Sequence, residues 1–346
     1  MYTGYREKSP RTFGQTGPPN TMRPLSPPQT VSAVILAFNR ADDLDHTLDR
    51  LAAEPLDEVI VVDSGDDDTS ERVRARGGNV RLVKTGDIGA AARNYGAAEA
   101  RSDLLLMLDD DSYPLPGTVN TLRDALTHNQ GLALAAGLVL EVDREGRVIH
   151  SQEVGTFDWF LRAGHRGPIP KDGVPTFFFP EGGCMVRRDA FLDVGGFFAP
   201  YFFTVSEVDV ATRLIGRGWD VRYFPAAEFE HRKAPGGRAS ERTMRLRVRN
   251  QLWYFWLRFP ASVAARRIPA YLAFDLIECL YRGVPRAWSR AIAEAWRERG
   301  RVREFRDPVP RSAVRRAELK RGRLHLRLLA HMVRRRLSGA TAESAV

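Results

Sequence analysis

Val31-Ser-Ala-Val-Ile-Leu-Ala37 is a nearly continuous apolar run of strand length, and it opens the patterned part of the chain. Leu44, Leu48 and Leu51 follow at helical spacing and predict a helix over 41–53. Glu58-Val-Ile-Val-Val62 reads as a second strand, 70–76 as a short polar helix, and Val80-Arg-Leu-Val83 as a third strand. An Ala-rich helix over 88–100 then precedes a fourth strand, Leu104-Leu-Leu-Met-Leu108. Strands apolar on both faces, alternating with helices, predict an α/β fold with a parallel sheet. Further elements are a helix over 117–128, a strand over 132–142, a helix-like stretch from Arg187 to the Gly195-Gly196-Phe197 turn, a helix over 208–216 and a short strand over 221–224. From Arg242 onward the pattern is helical and Arg-rich, with breaks expected at Pro260, Pro269, Pro285 and the Pro308/Pro310 pair.

This patterning predicts three regions: a Pro-rich disordered tail over 1–29, an α/β domain over 30–240 and a basic helical region over 241–346. Charge sharpens the division. The 346 residues carry a net charge of +9, but 241–346 hold 25 Lys and Arg against 9 acids, a net of +16, which leaves −7 for 1–240. Such asymmetry points the basic region toward nucleic acid, anionic lipid or an acidic partner. No helix-turn-helix, zinc-finger or RNA-binding signature accompanies it, so nucleic acid is not expected. The two cysteines, Cys184 and Cys279, make neither a disulfide framework nor a Cys-based zinc site. The first 28 residues hold six prolines and no signal-peptide core, and the best apolar run, Ile268–Leu280, is short and interrupted by Asp275 and Glu278.

Ligands of open parallel sheets bind beyond the carboxyl ends of the strands. There the sequence places Phe38-Asn39-Arg40, Asp63-Ser64-Gly65-Asp66-Asp67-Asp68 and Asp109-Asp110-Asp111. Adjacent carboxylates with few cations nearby, only Arg40 and Arg93, invite a divalent metal, and Mg²⁺ or Mn²⁺ takes one or two carboxylates plus phosphate oxygens. Asp66 and Asp67 read equally as a solvated loop or a helix cap. The acidic triplet that ends the fourth strand is the stronger candidate. No P-loop and no G-x-G-x-x-G after the first strand is present, which excludes those nucleotide-binding folds.

In this order and spacing, Phe38-Asn39-Arg40, Val61-Val62-Asp63-Ser64-Gly65, Ala92-Arg93-Asn94-Tyr95-Gly96, Leu108-Asp109-Asp110-Asp111 and a late acidic cluster resemble the family 2 glycosyltransferases of GT-A fold. The resemblance runs from about Val31 to His231. It implies a Rossmann-like, mostly parallel sheet flanked by helices and an inverting transfer from a nucleotide-diphospho-sugar, with UDP- and dTDP-sugars as candidate donors. By resemblance, Asp63 meets the nucleotide base, Asp109 and Asp111 meet ribose and the diphosphate-bound metal, and Arg93 and Asn94 open onto the donor. Ala37, Asn39, Arg40 and Asp110 complete the expected donor set, and His231 joins Asp109 and Asp111 at the metal. Glu181-Gly-Gly-Cys-Met-Val-Arg-Arg188 and Val194-Gly-Gly-Phe197 resemble the stretch before the family's catalytic acids. There the family has Glu-Asp-x-Asp-Leu, whereas this chain reads Ser206-Glu207-Val208-Asp209-Val210. Glu207 thus stands where the base Asp is expected, one methylene longer, with Asp209 as the alternative base or an orienting group.

Residues 143–180 are expected to read the acceptor (a glycan, a lipid-linked saccharide or a small molecule), with Trp159, Phe160 and Phe177–Phe179 as stacking surfaces or as core. Arg242–Pro260, where Trp253, Phe255 and Trp256 sit amid arginines, reads either as a helix at a membrane interface or as one packed back on the protein, and Ala313–Leu337 is more basic still. The expected location is therefore cytoplasmic, at the inner face of the membrane where that contact forms. Two other readings stay open: a sugar nucleotidyltransferase, which wants a Gly-rich basic loop after the first strand, and a degenerate sugar-nucleotide-binding module, suggested by the altered Ser206-Glu207.

Overall fold

The computed structural model describes residues 29–143, 145–152, 170–232 and 241–317. The expected tail over 1–29 therefore lies outside the described residues but for Gln29, as do Trp159, Phe160 and most of Ala313–Leu337. The chain divides into two compact units, the first holding the described residues up to 202 and 206–232, the second holding 203–205 and 241–317.

The first unit contains β1 (Val31–Ala37), α1 (Ala41–Leu51), β2 (Glu58–Asp63), α2 (Thr69–Arg76), β3 (Val80–Lys84), α3 (Arg93–Glu99), β4 (Leu104–Asp109), β5 (Ser112–Pro114), α4 (Thr118–His128), β6 (Leu132–Val142), β7 (Val148–Gln152), β8 (Val174–Pro175), β9 (Cys184–Arg187), α5 (Arg188–Asp193), α6 (Ser206–Gly216) and β10 (Asp220–Arg232). One sheet runs in the order β3-β2-β1-β4-β9-β6-β10-β5, with β7 on β6 and β8 on β10. β3, β2, β1 and β4 pair in parallel, β9 is antiparallel to both β4 and β6, and β10 is parallel to β6. β1, β2, β3, β4, β6 and β10 therefore share one direction. This is the expected α/β fold with a mostly parallel sheet, and β1, β2 and β4 are buried on both faces as their apolar runs require. Ile35, Val61 and Leu106 meet Leu44, Leu48 and Val73 of the covering helices in one core.

Two glycines set close approaches. A Cβ on Gly96 of α3 would lie 2.6 Å from Val34 and 2.7 Å from Val62, so its absence lets the helix settle on β1 and β2. A Cβ on Gly182 would lie 2.5 Å from Asp109 Oδ2, so that backbone passes directly beside the β4 carboxylate.

The strand expected over 221–224 is longer, because β10 pairs with β6 through two register shifts and reaches Arg232. The second unit contains α7 (Glu241–Arg258), α8 (Ala261–Tyr281), α9 (Pro285–Arg297), α10 (Arg299–Val302) and α11 (Arg311–Ala317). Pro260 precedes α8 and Pro285 begins α9, as expected, but Pro269 lies inside α8 and does not end it. Most of α7 is buried, and Arg242 is its one exposed arginine. Arg245 and Arg249 pair with Glu294 at 2.5 and 2.7 Å, and Arg247 with Asp275 at 3.2 Å and with Glu278. Three of the five arginines of this helix are thus committed to ion pairs within the unit, and Arg258 donates to the Phe305 carbonyl.

Candidate active site

The acidic triplet sits where β4 turns into β5. Ser112 fixes the turn: its hydroxyl accepts from the Asp109 N–H at 2.8 Å and donates to the Gly182 carbonyl at 2.9 Å. Antiparallel pairing of β5 with β10 puts His231 opposite Ser112, and the Arg232 N–H donates to the Asp111 carbonyl at 2.8 Å. His231 Nε2 thereby comes within 3.1 Å of Asp111 Oδ1. One ligand atom each from Asp109, Asp111 and His231 lie within 4.8 Å of one another. Two carboxylates and an imidazole in this arrangement fit Mn²⁺ or Mg²⁺ with phosphate oxygens completing the shell.

The two cations expected at the rim, Arg40 and Arg93, are both there, and each is committed to carboxylates. Arg40 pairs with Asp111, with Asp110 at 3.3 Å and with Asp43 at 2.8 Å. Arg93, fully buried at the start of α3, pairs with Asp109 and reaches Glu181 at 3.1 Å. These long guanidinium stems start on other elements, so the pairing is invisible in the local sequence. Burial would raise the Asp111 carboxyl, but the hydrogen bond and charge of His231, with Arg40 behind them, hold it below the usual carboxylate range. Burial would lower His231, yet its bond to Asp111 holds it above the ordinary imidazole value. Asp110 goes the other way, pushed up to about 7 by burial and by Asp111 beside it.

Several expected donor ligands are occupied by the protein itself. The Asp63 carboxylate is wholly buried and accepts the Gly65 N–H at 2.9 Å, Lys84 Nζ at 2.9 Å and the Ser70 hydroxyl. The Ala37 carbonyl accepts from Ser64. Asn39, with φ 54° in the left-handed region, accepts the N–H groups of Asp66 and Asp67 and so shapes the loop after β2. Asp67 accepts the first N–H groups of α1 and α2, from Ala41 at 3.1 Å and Thr69 at 3.2 Å, which is the helix-cap reading. Asn94 is spent on one residue, giving to the Phe197 carbonyl and accepting its N–H, both at 2.8 Å. It staples α3 to the Gly195-Gly196-Phe197 turn.

The two candidate bases separate cleanly. Asp209 is fully buried, paired with Arg213 at 2.6 Å and bonded by the Tyr201 hydroxyl at 3.4 Å. Arg213 in turn donates to the carbonyls of Val194 and Gly196. Asp209 is therefore the keystone of a buried network. Glu207 lies two residues earlier on α6 and is only partly buried. Burial, then the charge of Glu181, then that of Asp109 push its carboxyl up to about 8 despite Arg93. Phe202, Thr204 and Val205, just ahead of α6, all have positive φ, a costly backbone for non-glycine residues that clusters at functional sites.

Two participants escaped the sequence reading. Glu181, pushed up to about 7 mainly by burial, shares Arg93 with Asp109. It opened the quoted Glu181-Gly-Gly stretch, so the signal was there without a role attached. Lys84 ends β3 in register with Asp63. Phe177 and Phe179 are core rather than stacking surface, at 6% and 1% exposure.

Residues 32–195 match the model of the family described as glycosyl transferase family 2. An N-acetylglucosaminyl-diphospho-decaprenol L-rhamnosyltransferase from Mycobacterium tuberculosis is 30% identical over 220 residues, which cover 53% of this chain and 69% of that protein. The chain is a family 2 glycosyltransferase. A pre-mycofactocin glycosyltransferase of the same organism is 29% identical over 142 residues, covering 41% of this glycosyltransferase and 29% of the relative. Among solved structures, S. aureus TarS 1–349 in complex with UDP-GlcNAc superposes with a TM-score of 0.56 at 14% identity, covering 82% of each chain. GalNAc-T7, solved with UDP, GalNAc and Mn²⁺, gives 0.56 at 15% identity over 67% of this glycosyltransferase and 48% of GalNAc-T7. At these identities the structures speak for the fold, and it is the GT-A fold.

Proposed function

We propose that this glycosyltransferase moves a sugar from a UDP- or dTDP-sugar to a hydroxyl of a lipid-linked saccharide, with inversion at the anomeric carbon. The observation that carries the mechanism is the split between Glu207 and Asp209: one carboxylate is partly exposed and feels the charges of Glu181, Arg93 and Asp109, the other is sealed against Arg213. Glu207 takes the proton of the attacking acceptor hydroxyl. Its raised proton affinity suits a base working near neutral pH. Arg93 holds Asp109 and Glu181 in place, and Arg40 holds Asp110 and Asp111. Asp109, Asp111 and His231 would hold Mn²⁺ or Mg²⁺, which when bound supplies charge stabilisation for the leaving nucleoside diphosphate. The lipid-linked acceptor and the rhamnosyl-type donor are carried by the relative that acts on a diphospho-decaprenol saccharide. Action at the cytoplasmic face follows from that reading.

Glu207→Gln tests the proposal. Turnover is expected to fall by about 10²–10⁴-fold, while UDP or dTDP with Mn²⁺ still raises the melting temperature as in the parent. EDTA is expected to abolish that stabilisation, and proton NMR of the product to give the anomeric configuration opposite to the donor. Retained configuration, or full turnover in Glu207→Gln, rejects this mechanism.

A further inference from the structure

α8 is built inside out. Between Ile268 and Tyr281 every exposed residue is apolar: Pro269, Ala270, Ala273, Ile277 and Leu280. Their spacing of three and four places them on one face. Both acids of the same stretch, Asp275 and Glu278, are buried. A helix in water carries the reverse pattern, with apolar residues inward and charge outward. Turning two carboxylates inward incurs a desolvation penalty that only pairing offsets. Arg247 of α7 supplies that pairing to both acids, and Arg282 adds a bond to Glu278 at 2.9 Å. The inward face is therefore ionic and satisfied, and the outward stripe is apolar and free of acid. Exposed Arg266 precedes the stripe and exposed Arg286 follows it.

We propose that this face of α8 seats the chain on an anionic lipid surface. The stripe lies at the boundary of headgroups and acyl chains, and Arg266 and Arg286 meet headgroup phosphates. No described helix is long and apolar enough to cross a membrane, so α8 lies in the plane of the surface. Charge selects lipid over a second copy of the chain. Two copies stacked stripe to stripe would bring basic ends together with no acid on the face to meet them, whereas each basic residue near an anionic surface strengthens binding about fivefold. The inference goes beyond the reading of the active site and rests on α8 alone.

Flotation of the full chain with vesicles of phosphatidylcholine, with and without about a third phosphatidylglycerol, tests it. The chain is expected to float with the anionic vesicles, and Ile277→Glu/Leu280→Glu to weaken that binding at least about tenfold. Both side chains are exposed, at 37% and 50%, so the melting temperature should hold. Ala270→Glu on the same stripe gives an independent reading if the double variant melts early. Ile277→Leu/Leu280→Ile should float like the parent. Sugar transfer to a soluble acceptor without vesicles is expected unchanged in all of them, which separates this inference from the catalytic one. Flotation of the Glu variants equal to the parent overturns it, as does a parent that stays down with both vesicles. A dimer that becomes monomeric in the Glu variants with flotation unchanged assigns the face to a second copy and also overturns it.

Discussion

Asp209 and Glu207 lie two positions apart on α6, carry the same functional group and have different surroundings. Asp209 balances Arg213, which holds the carbonyls of Val194 and Gly196. Asp209→Ala leaves that guanidinium buried without its counter-charge, so a loss of about 3–5 kcal/mol is expected in chemical denaturation. Any fall in activity should track the unfolded fraction. For Glu207 the expected signature is kinetic. Its base form dominates only above its raised value of about 8, so activity should climb with pH toward that value. Burial and the charge of Glu181 are the two largest causes of the rise. Glu181→Gln removes the second, and the ascending limb of the pH–rate profile should move to lower pH. A limb that stays in place separates Glu181 from the base.

At the scale of elements, the site depends on how closely backbone meets side chain. α3 carries Arg93 and Asn94 to the rim, and it rests on β1 and β2 because Gly96 has no Cβ to strike Val34 and Val62. Gly96→Ala overpacks that contact and is expected to destabilise by about 1–3 kcal/mol. It should also weaken nucleotide binding, because the Asn94 staple to Phe197 moves with the helix. Isothermal titration with UDP and Mn²⁺ would read that second effect. Normal affinity at reduced stability would confine the glycine to packing. β10 acts on the site in the same indirect way, since its pairing with β5 brings His231 to Asp111.

At the scale of the whole molecule, burial raises the proton affinity of several carboxyls toward neutral pH, Asp110 among them. Glu181 is pushed up to about 7, Glu207 to about 8 and Asp275 to about 7, against ordinary values of 4.5 for Glu and 3.8 for Asp. Between those limits these carboxyls hold more protons in the folded chain than in the unfolded one. The lowered His46 opposes them around its ordinary value, but their own contribution to stability falls as pH rises. His231, raised by Asp111, contributes in the same direction as pH passes its ordinary value of 6.5. The melting temperature without ligand is therefore expected to decline from about pH 5 to pH 8. Glu181→Gln/Glu207→Gln should flatten that decline, and equal slopes in variant and parent would falsify the assignment.

The sequence by itself determined the alternation of buried strands and helices, the family, and the three motif ends on which Asp63, Asp109–Asp111 and Glu207 stand. These are local signals: an apolar run says strand whatever surrounds it, and a carboxylate after the run marks the ligand edge of a parallel sheet. It did not determine what each carboxylate faces. Arg40 and Arg93 are separated from the acids they neutralise by about 70 and 16 residues, and only the fold brings them together. Asn94 and Asp63 are expected donor ligands, and only the fold shows the partners they already hold, Phe197 for the one and Gly65, Ser70 and Lys84 for the other. The tertiary structure also gave Glu207 and Asp209 different surroundings, Asp209 sealed against Arg213, and it reversed α8. In the sequence Asp275 and Glu278 are interruptions of an apolar run. In the fold they face Arg247, and the apolar run is what the helix shows to its surroundings.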